Sequence, residues 1–239
     1  RREGPQLSGA RALLFLTLKT VRTIASLREN LRGWRGFGET VALVPTMGNL
    51  HAGHLSLVDL ARTLADRVVV SIFVNPTQFG PGEDFAAYPR TLDKDRRHLT
   101  RANVDLLFAP PVEEVYPDRE QPGTVVSVPG LSGILCGQFR PGHFDGVASV
   151  VTRLFNIVQP DSAVFGQKDY QQLVVIRCLQ ADLQLPVRIV AAPTAREADG
   201  LAMSSRNQYL DGAQRAMAPG LHRALADCAE VLRRGDREF

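Results

Sequence analysis

Thr40-Val41-Ala42-Leu43-Val44-Pro45-Thr46-Met47-Gly48-Asn49-Leu50-His51-Ala52-Gly53-His54 is the stretch on which the fold turns. Its first part is a short apolar run, the mark of a strand buried on both faces. A glycine-containing turn then passes into a helix read from about Ala52 to Leu64. The same alternation repeats outward. Upstream, Ile24, Leu27 and Leu31 fall at helical spacing within Thr23 to Trp34. Downstream come a second buried strand (Val68 to Val74), a loop with two prolines and two glycines (Asn75 to Asp84), a polar helix (Leu92 to Ala102) and a third strand (Val104 to Phe108). After a Pro/Gly-rich excursion, Pro110 to Gly142, helical patterns at Val147 to Val158 and Lys168 to Ala181 flank the strand Ala163 to Phe165. Val187 to Ala191 reads as the last strand, and beyond Pro193 a polar loop leads to a helix, Ala213 to Arg234. Strands alternating with helices predict an α/β fold: a doubly wound, Rossmann-like parallel sheet whose right-handed crossovers place helices on both faces.

Composition narrows the partners. The 239 residues allow one large or two unequal domains. The 28 Lys and Arg stand against 25 Asp and Glu, a net +3. The cations are interleaved with acids, as in Asp93-Lys94-Asp95-Arg96-Arg97, which reads as a solvated helix face rather than a nucleic-acid stripe. Cys136, Cys178 and Cys228 are odd in number and far apart, against a disulfide framework or a cysteine metal site; they read as small buried hydrophobes in a reducing, cytoplasmic setting. The run Ala12 to Leu16 is too short to span a bilayer and lacks a small-x-small cleavage site. No membrane partner is expected, and residues 1–19 read as a leader of unknown role.

Four segments carry chemistry, each at a strand end or in the loop after one, where open α/β sheets bind ligands. His51 and His54 lie three apart at a helix start, with Gly53 between them leaving room for a ligand. A helix N-terminus with free N–H groups attracts phosphate, and two imidazoles there can stabilise charge on a triphosphate. The competing reading is a pair of histidines that merely cap a buried helix. In Phe73-Val74-Asn75-Pro76-Thr77-Gln78-Phe79-Gly80, Gln78 offers donors and acceptors to a hydroxy acid, although taken by itself the segment is better explained as an ordinary Asn-Pro turn. In Phe165-Gly166-Gln167-Lys168-Asp169-Tyr170-Gln171-Gln172, Lys168 supplies a point charge for phosphate, Asp169 can accept from ribose, and Gln172 follows one turn after Lys168; a solvated first helical turn is the alternative. Met203-Ser204-Ser205-Arg206-Asn207 can form a second, mobile phosphate clamp, or be simply an exposed loop.

In this order the segments resemble the pantothenate synthetase (pantoate–β-alanine ligase) family of His-x-Gly-His nucleotidylyltransferases. The resemblance runs from about Val21 to the chain's end and includes Tyr88-Pro89-Arg90-Thr91, Arg140-Pro141-Gly142-His143-Phe144 and Arg196-Glu197-Ala198-Asp199-Gly200. It implies a ligase that joins pantoate to β-alanine with ATP through a pantoyl adenylate, releasing diphosphate and AMP. It further implies ATP binding by Met47, Gly48, Asn49, Leu50, His51, Ala52, Gly53 and His54, by Gly166, Gln167, Lys168 and Asp169, and by Met203, Ser204, Ser205 and Arg206. His54 stands at the position of a proton donor and His51 beside the phosphates; with Lys168 and Arg206 they are the expected catalytic set. Gln78 and Gln172 match substrate-binding positions, and Ala195 stands near adenine where the family often has valine. Mg²⁺ is expected on the phosphates, with Asp95 a candidate carboxylate for it, and the assembly expected is a homodimer.

Family members continue beyond the helix that matches Ala213 to Arg234. The expected division is therefore a Rossmann-like ATP- and pantoate-binding domain, 20–193, and a small α+β lid domain, 194–239, that is cut short. A truncated nucleotide-binding module without full turnover, or a related nucleotidylyltransferase acting on phosphopantetheine or nicotinamide mononucleotide, are the rival readings.

Overall fold

The computed structural model describes residues 18–117 and 123–235. Its sheet is all parallel, in the order β1-β4-β3-β2-β5-β6, formed by β1 (Lys19–Val21), β2 (Val41–Thr46), β3 (Arg67–Ile72), β4 (Leu106–Phe108), β5 (Ser162–Gly166) and β6 (Arg188–Ala192). The side-chain period of two decides what covers each face. Val41 and Leu43 of β2 join one apolar cluster and Ala42 and Val44 the other, so both faces of this central strand are dry. The first cluster is completed by α1 (Ile24–Gly36), α6 (His143–Val158) and α7 (Tyr170–Asp182), through Leu27, Leu31, Leu154 and Ile176. The second is completed by α2 (Ala52–Ala61) and α3 (Leu92–Arg101), through Val58, Ala61 and Leu99.

From β2 the chain winds outward to β3 and β4 on one side, and the later strands β5 and β6 lie on the other. The winding therefore reverses between β2 and β5. The turns leaving their carboxyl ends diverge, and a crevice opens there by topology alone. The turns are Met47 to His51 and the 3₁₀ turn Gln167–Asp169.

Several boundaries differ from the sequence reading, each for a local reason. Most of the segment read as a leader lies outside the described residues, but its last two belong to the fold: Leu18 is buried and Lys19 opens β1. A three-residue edge strand carries too little periodicity to be read. The excursion contains two one-turn helices, α4 (Val112–Val115) and α5 (Cys136–Phe139), and α6 starts at His143 rather than Val147 because Gly142 takes a left-handed conformation before it. The last helix is two, α8 (Gly212–Met217) and α9 (Gly220–Arg233), divided at Pro219, which lacks the N–H a continuous helix needs. The cysteines are not buried hydrophobes: Cys136 and Cys228 are exposed and Cys178 is half-buried. Among the described residues no helix is long and apolar enough to cross a membrane.

Candidate active site

At the β2/β5 crevice a cleft of about 220 Å³ is lined by Met47, His51, Gly53 and His54 from the β2 side, and by Gly166, Lys168, Asp169 and Gln172 from the β5 side. Gln78, Ala195 and Met203 complete the same wall. Residues from four separated segments thus meet in one hollow. Gly48, Asn49, Leu50, Ala52 and Gln167 adjoin these residues in sequence without lining the cleft; Ser204, Ser205 and Arg206, which form the N-cap and start of the 3₁₀ helix Ser205–Tyr209, do not line it either.

The first turn of α2 is capped reciprocally. His51 is the N-cap, its Nδ1 accepting from the Gly53 N–H at 3.1 Å, while His54 Nδ1 accepts from the His51 N–H at 3.4 Å. The capping reading and the ligand reading of these histidines therefore coexist. Because Nδ1 accepts in both rings, the neutral form of each carries its proton on Nε2, the nitrogen left for a ligand. Burial, then the neighbouring His51, then Lys168 push the His54 pKa down to about 3, and burial followed by Lys168 lowers that of His51. At neutral pH both are uncharged donors. His54, at the position the family resemblance gives to a proton donor, is then a neutral imidazole that offers a hydrogen bond through Nε2–H.

Part of the N–H set around the helix start is already used: those of Asn49, Leu50, His51 and Gly53 have protein partners, whereas that of Ala52, the first residue of α2, has none among the described residues. Asp95, which is 0% exposed, holds the first two of these; its Oδ1 accepts from Leu50 N–H at 2.8 Å and its Oδ2 from Asn49 N–H at 2.9 Å. Asp95 is therefore neither on a solvated face nor arranged as a metal ligand, because N–H dipoles converge on the oxygens that a cation would need. Among the described residues no group of three or more His, Cys, Asp or Glu could hold a metal ion. A dedicated protein cage for Mg²⁺ is thus not formed by the described residues.

On the β3 side a 3₁₀ turn, Pro76–Gln78, places Gln78. Buried Asn75 holds that turn: its Oδ1 accepts from the Thr77 N–H, the Thr77 hydroxyl and the Tyr116 hydroxyl, and its Nδ2 donates to Gln78 Oε1 at 3.2 Å and to the Gly146 carbonyl at 3.1 Å. Gln78 Nε2 donates to Met47 Sδ at 3.1 Å, and the Gln78 carbonyl accepts from His143 Nδ1 at 2.7 Å. Gly146 allows this docking, since a Cβ there would collide with the Thr77 carbonyl.

Two ion pairs strap the segment after this turn. Glu83 pairs with Arg140 at 2.6 Å, and Asp84 with Arg206 at 2.9 Å; each carboxyl is held below its ordinary range first by the hydrogen bond from its arginine. Tyr88, on the same segment, lines the cleft with Arg206 over its ring. Ser205 Oγ donates to the Asn49 carbonyl at 3.0 Å, fastening the loop above the cleft to the turn below. Lys168 Nζ lies 3.5 Å from Asp169.

Sequence reasoning passed over Asn75, Tyr88 and the apolar floor supplied by Val147, Val150 and Leu154 of α6. The floor was visible as helical periodicity, although nothing in the sequence says that a helix lies under a cleft. Asn75 was hidden because Asn-Pro is a common turn pair.

Comparisons with known proteins point to one family. A family model described as pantoate-beta-alanine ligase matches residues 19–238. The chain is 58% identical over 222 residues to a pantothenate synthetase of Pseudomonas entomophila, covering 93% of this chain and 77% of that one. To that of Thioalkalivibrio sulfidiphilus it is 59% identical, covering 93% and 78%. Among solved structures, the pantothenate synthetase of Thermus thermophilus superposes with a TM-score of 0.86 at 55% identity, covering 92% of this chain and 77% of that chain. The pantoate–β-alanine ligase of Francisella tularensis, crystallised with β,γ-ATP and β-alanine, gives 0.81 at 36% identity, covering 87% and 79%. A crevice at the sheet's reversal point, walled by two capping histidines, a lysine and two glutamines, together with these likenesses, establishes that the chain belongs to the pantoate–β-alanine ligase family.

Proposed function

We propose that this cleft condenses pantoate with β-alanine at the expense of ATP. In the first step a pantoate carboxylate oxygen forms a bond to the α-phosphorus of ATP as the bond to the β-phosphate oxygen breaks, and diphosphate leaves. In the second the β-alanine ammonium gives one proton to solvent, the free amine nitrogen bonds to the acyl carbon of pantoyl adenylate, AMP departs with the C–O electron pair, and the second N–H proton passes to solvent as the amide forms. Negative charge grows on the phosphates in the first step. Lys168 supplies a cation there and His51 and His54 neutral Nε2–H donors, an arrangement that needs no proton transfer from the protein. Gln78 and Gln172 hold the hydroxy acid, so proximity accounts for much of the rate.

The observation that carries this reading is the meeting of Gln78 and Gln172 with the histidine–lysine group in one cleft. Phosphate-binding groups alone would suit any nucleotidylyltransferase. Ser204, Ser205 and Arg206 complete the ATP site in this reading as the loop closes over the triphosphate, and residues 194–239 act as the lid on the nucleotide domain 20–193. Mg²⁺ belongs here as a companion of the triphosphate and not of Asp95. Residence in the cytoplasm and a homodimeric assembly rest on the family resemblance; sedimentation of the purified chain tests the latter.

The deciding assay is pantoate-dependent diphosphate release, followed by AMP release only after β-alanine is added. Diphosphate release with phosphopantetheine and not with pantoate would sink the proposal.

A further inference from the structure

We propose that Asp95 is a positioning residue for adenylation: from α3 it clamps the turn Gly48-Asn49-Leu50 and so fixes where His51 and His54 present their Nε2–H groups. This deepens the proposed function and rests on its reading of the two histidines.

The turn is costly to hold. Gly48 has φ +83° and Asn49 φ +50°, so two consecutive residues lie in the left-handed region. That conformation is free for glycine and unfavourable for asparagine. It aims successive backbone N–H groups inward, a concavity that attracts an anion. In this chain the anion is internal. The Asp95 carboxylate spans both N–H groups and takes a third hydrogen bond from the Thr91 hydroxyl at 3.1 Å. Without it the Leu50 N–H, in a residue only 3% exposed, would be buried with no acceptor. Gly48 leaves room for the clamp, because a Cβ there would stand 3.2 Å from Asp95 Oδ2.

The residue after the clamped turn is His51, the N-cap whose ring and backbone make the reciprocal pair with His54. A displaced Leu50 moves His51 directly and His54 through it. The same turn receives the Ser205 hydroxyl on the Asn49 carbonyl. Asp95 from below and Ser205 from above therefore grip neighbouring atoms of the segment that carries both imidazoles.

The test uses the full chain and three readouts: diphosphate release, thermal stability, and the ring-nitrogen NMR shifts of the histidines. Asp95→Asn keeps the shape and sets an amide NH₂ against one of the two N–H donors. The expected result is a loss of kcat of about tenfold to a hundredfold, the scale that goes with a misplacement of about 1 Å, with the pantoate KM changed by less than about twofold. In a background lacking both imidazoles, His51→Ala with His54→Ala, the same change should cost less than about threefold, because the groups it positions are gone. The ring-nitrogen spectrum should pass from the Nε2–H tautomer to a mixture, and that readout stands even if the chain releases no diphosphate. Failure of the ligase reading and failure of the clamp are thereby separated. Thr91→Val removes one donor and leaves the carboxylate in place; it should lower kcat a few-fold with the same KM split, and it carries the test if Asp95→Asn does not fold. Additive losses with the double variant lacking both imidazoles, unchanged ring-nitrogen shifts, or a greater demand for Mg²⁺ with kcat intact at saturation would each overturn the proposal, the last by making Asp95 a metal contact.

Discussion

Arg206 reaches 122 residues back along the chain to grip Asp84, its Nε at 3.1 Å and its Nη2 at 2.9 Å from the two carboxylate oxygens. The guanidinium that the proposed function assigns to the triphosphate is already paired with a carboxylate of the segment after the Pro76–Gln78 turn. ATP must share or displace that partner. Arg206 is about half exposed, at 47%, so the pair is a partly screened one.

Removing the competitor should favour the nucleotide. Asp84→Asn is expected to lower the KM for ATP by up to about fivefold, the equivalent of the ~0.2–1 kcal/mol that exposed ion pairs contribute. Arg206→Ala should raise it. Steady-state kinetics with ATP varied checks both, and an Asp84→Asn enzyme that binds ATP more weakly would show that the pair builds the site instead of blocking it.

The depressed histidines give a pH dependence with a definite sign. His54 ordinarily titrates near 6.5 and does so at about 3 in the folded chain, so between those values the unfolded chain binds the extra proton. The stability this contributes is complete above about pH 6.5 and is lost as pH falls toward 3. Melting temperature measured from pH 7 to 4 should fall more steeply in the parent chain than in His54→Gln. Activity, corrected for unfolding, should show no histidine limb near 6.5, and an acid limb there that vanishes in His54→Gln would contradict the neutral-donor reading.

Gly146 has no room for a side chain. Gly146→Ala must push the Pro76–Gln78 turn off α6, at a cost of about 1–3 kcal/mol as for other overpacked sites. Because Gln78 rides on that turn, the KM for pantoate should rise while the KM for ATP holds. A thermal melt together with the two KM values separates this from general destabilisation.

Lys168→Met keeps the stem and removes the charge. It should lower kcat for diphosphate release by about a hundredfold to a thousandfold, the range seen when one preorganised stabilising group is lost. Lys168 also contributes to the depression of both histidines, so their ring-nitrogen titrations should move upward in the same variant.

The sheet was legible in the sequence because burial on both faces leaves unbroken apolar runs such as Val41 to Val44 and Val68 to Val70, set between turn residues. Lys19–Val21 escaped, since three residues at an edge carry no period, and so did the break at Pro219 within an otherwise helical stretch. The residue types of the cleft could be read for a similar reason: histidine, lysine and glutamine at strand ends are chemically conspicuous.

Their states could not be read. That His51 and His54 cap their own helix, that their protons sit on Nε2, and that Asp95 leaves its polar helix to hold a turn 45 residues earlier all follow from where backbone N–H groups point once the chain is folded. Composition and spacing determined which groups this protein owns and on which edge of the sheet they gather. Tertiary structure alone decided which of them are spent on holding the backbone and which remain for a ligand. Burial and hydrogen-bond direction depend on atoms brought from distant parts of the chain, and a linear pattern does not contain them.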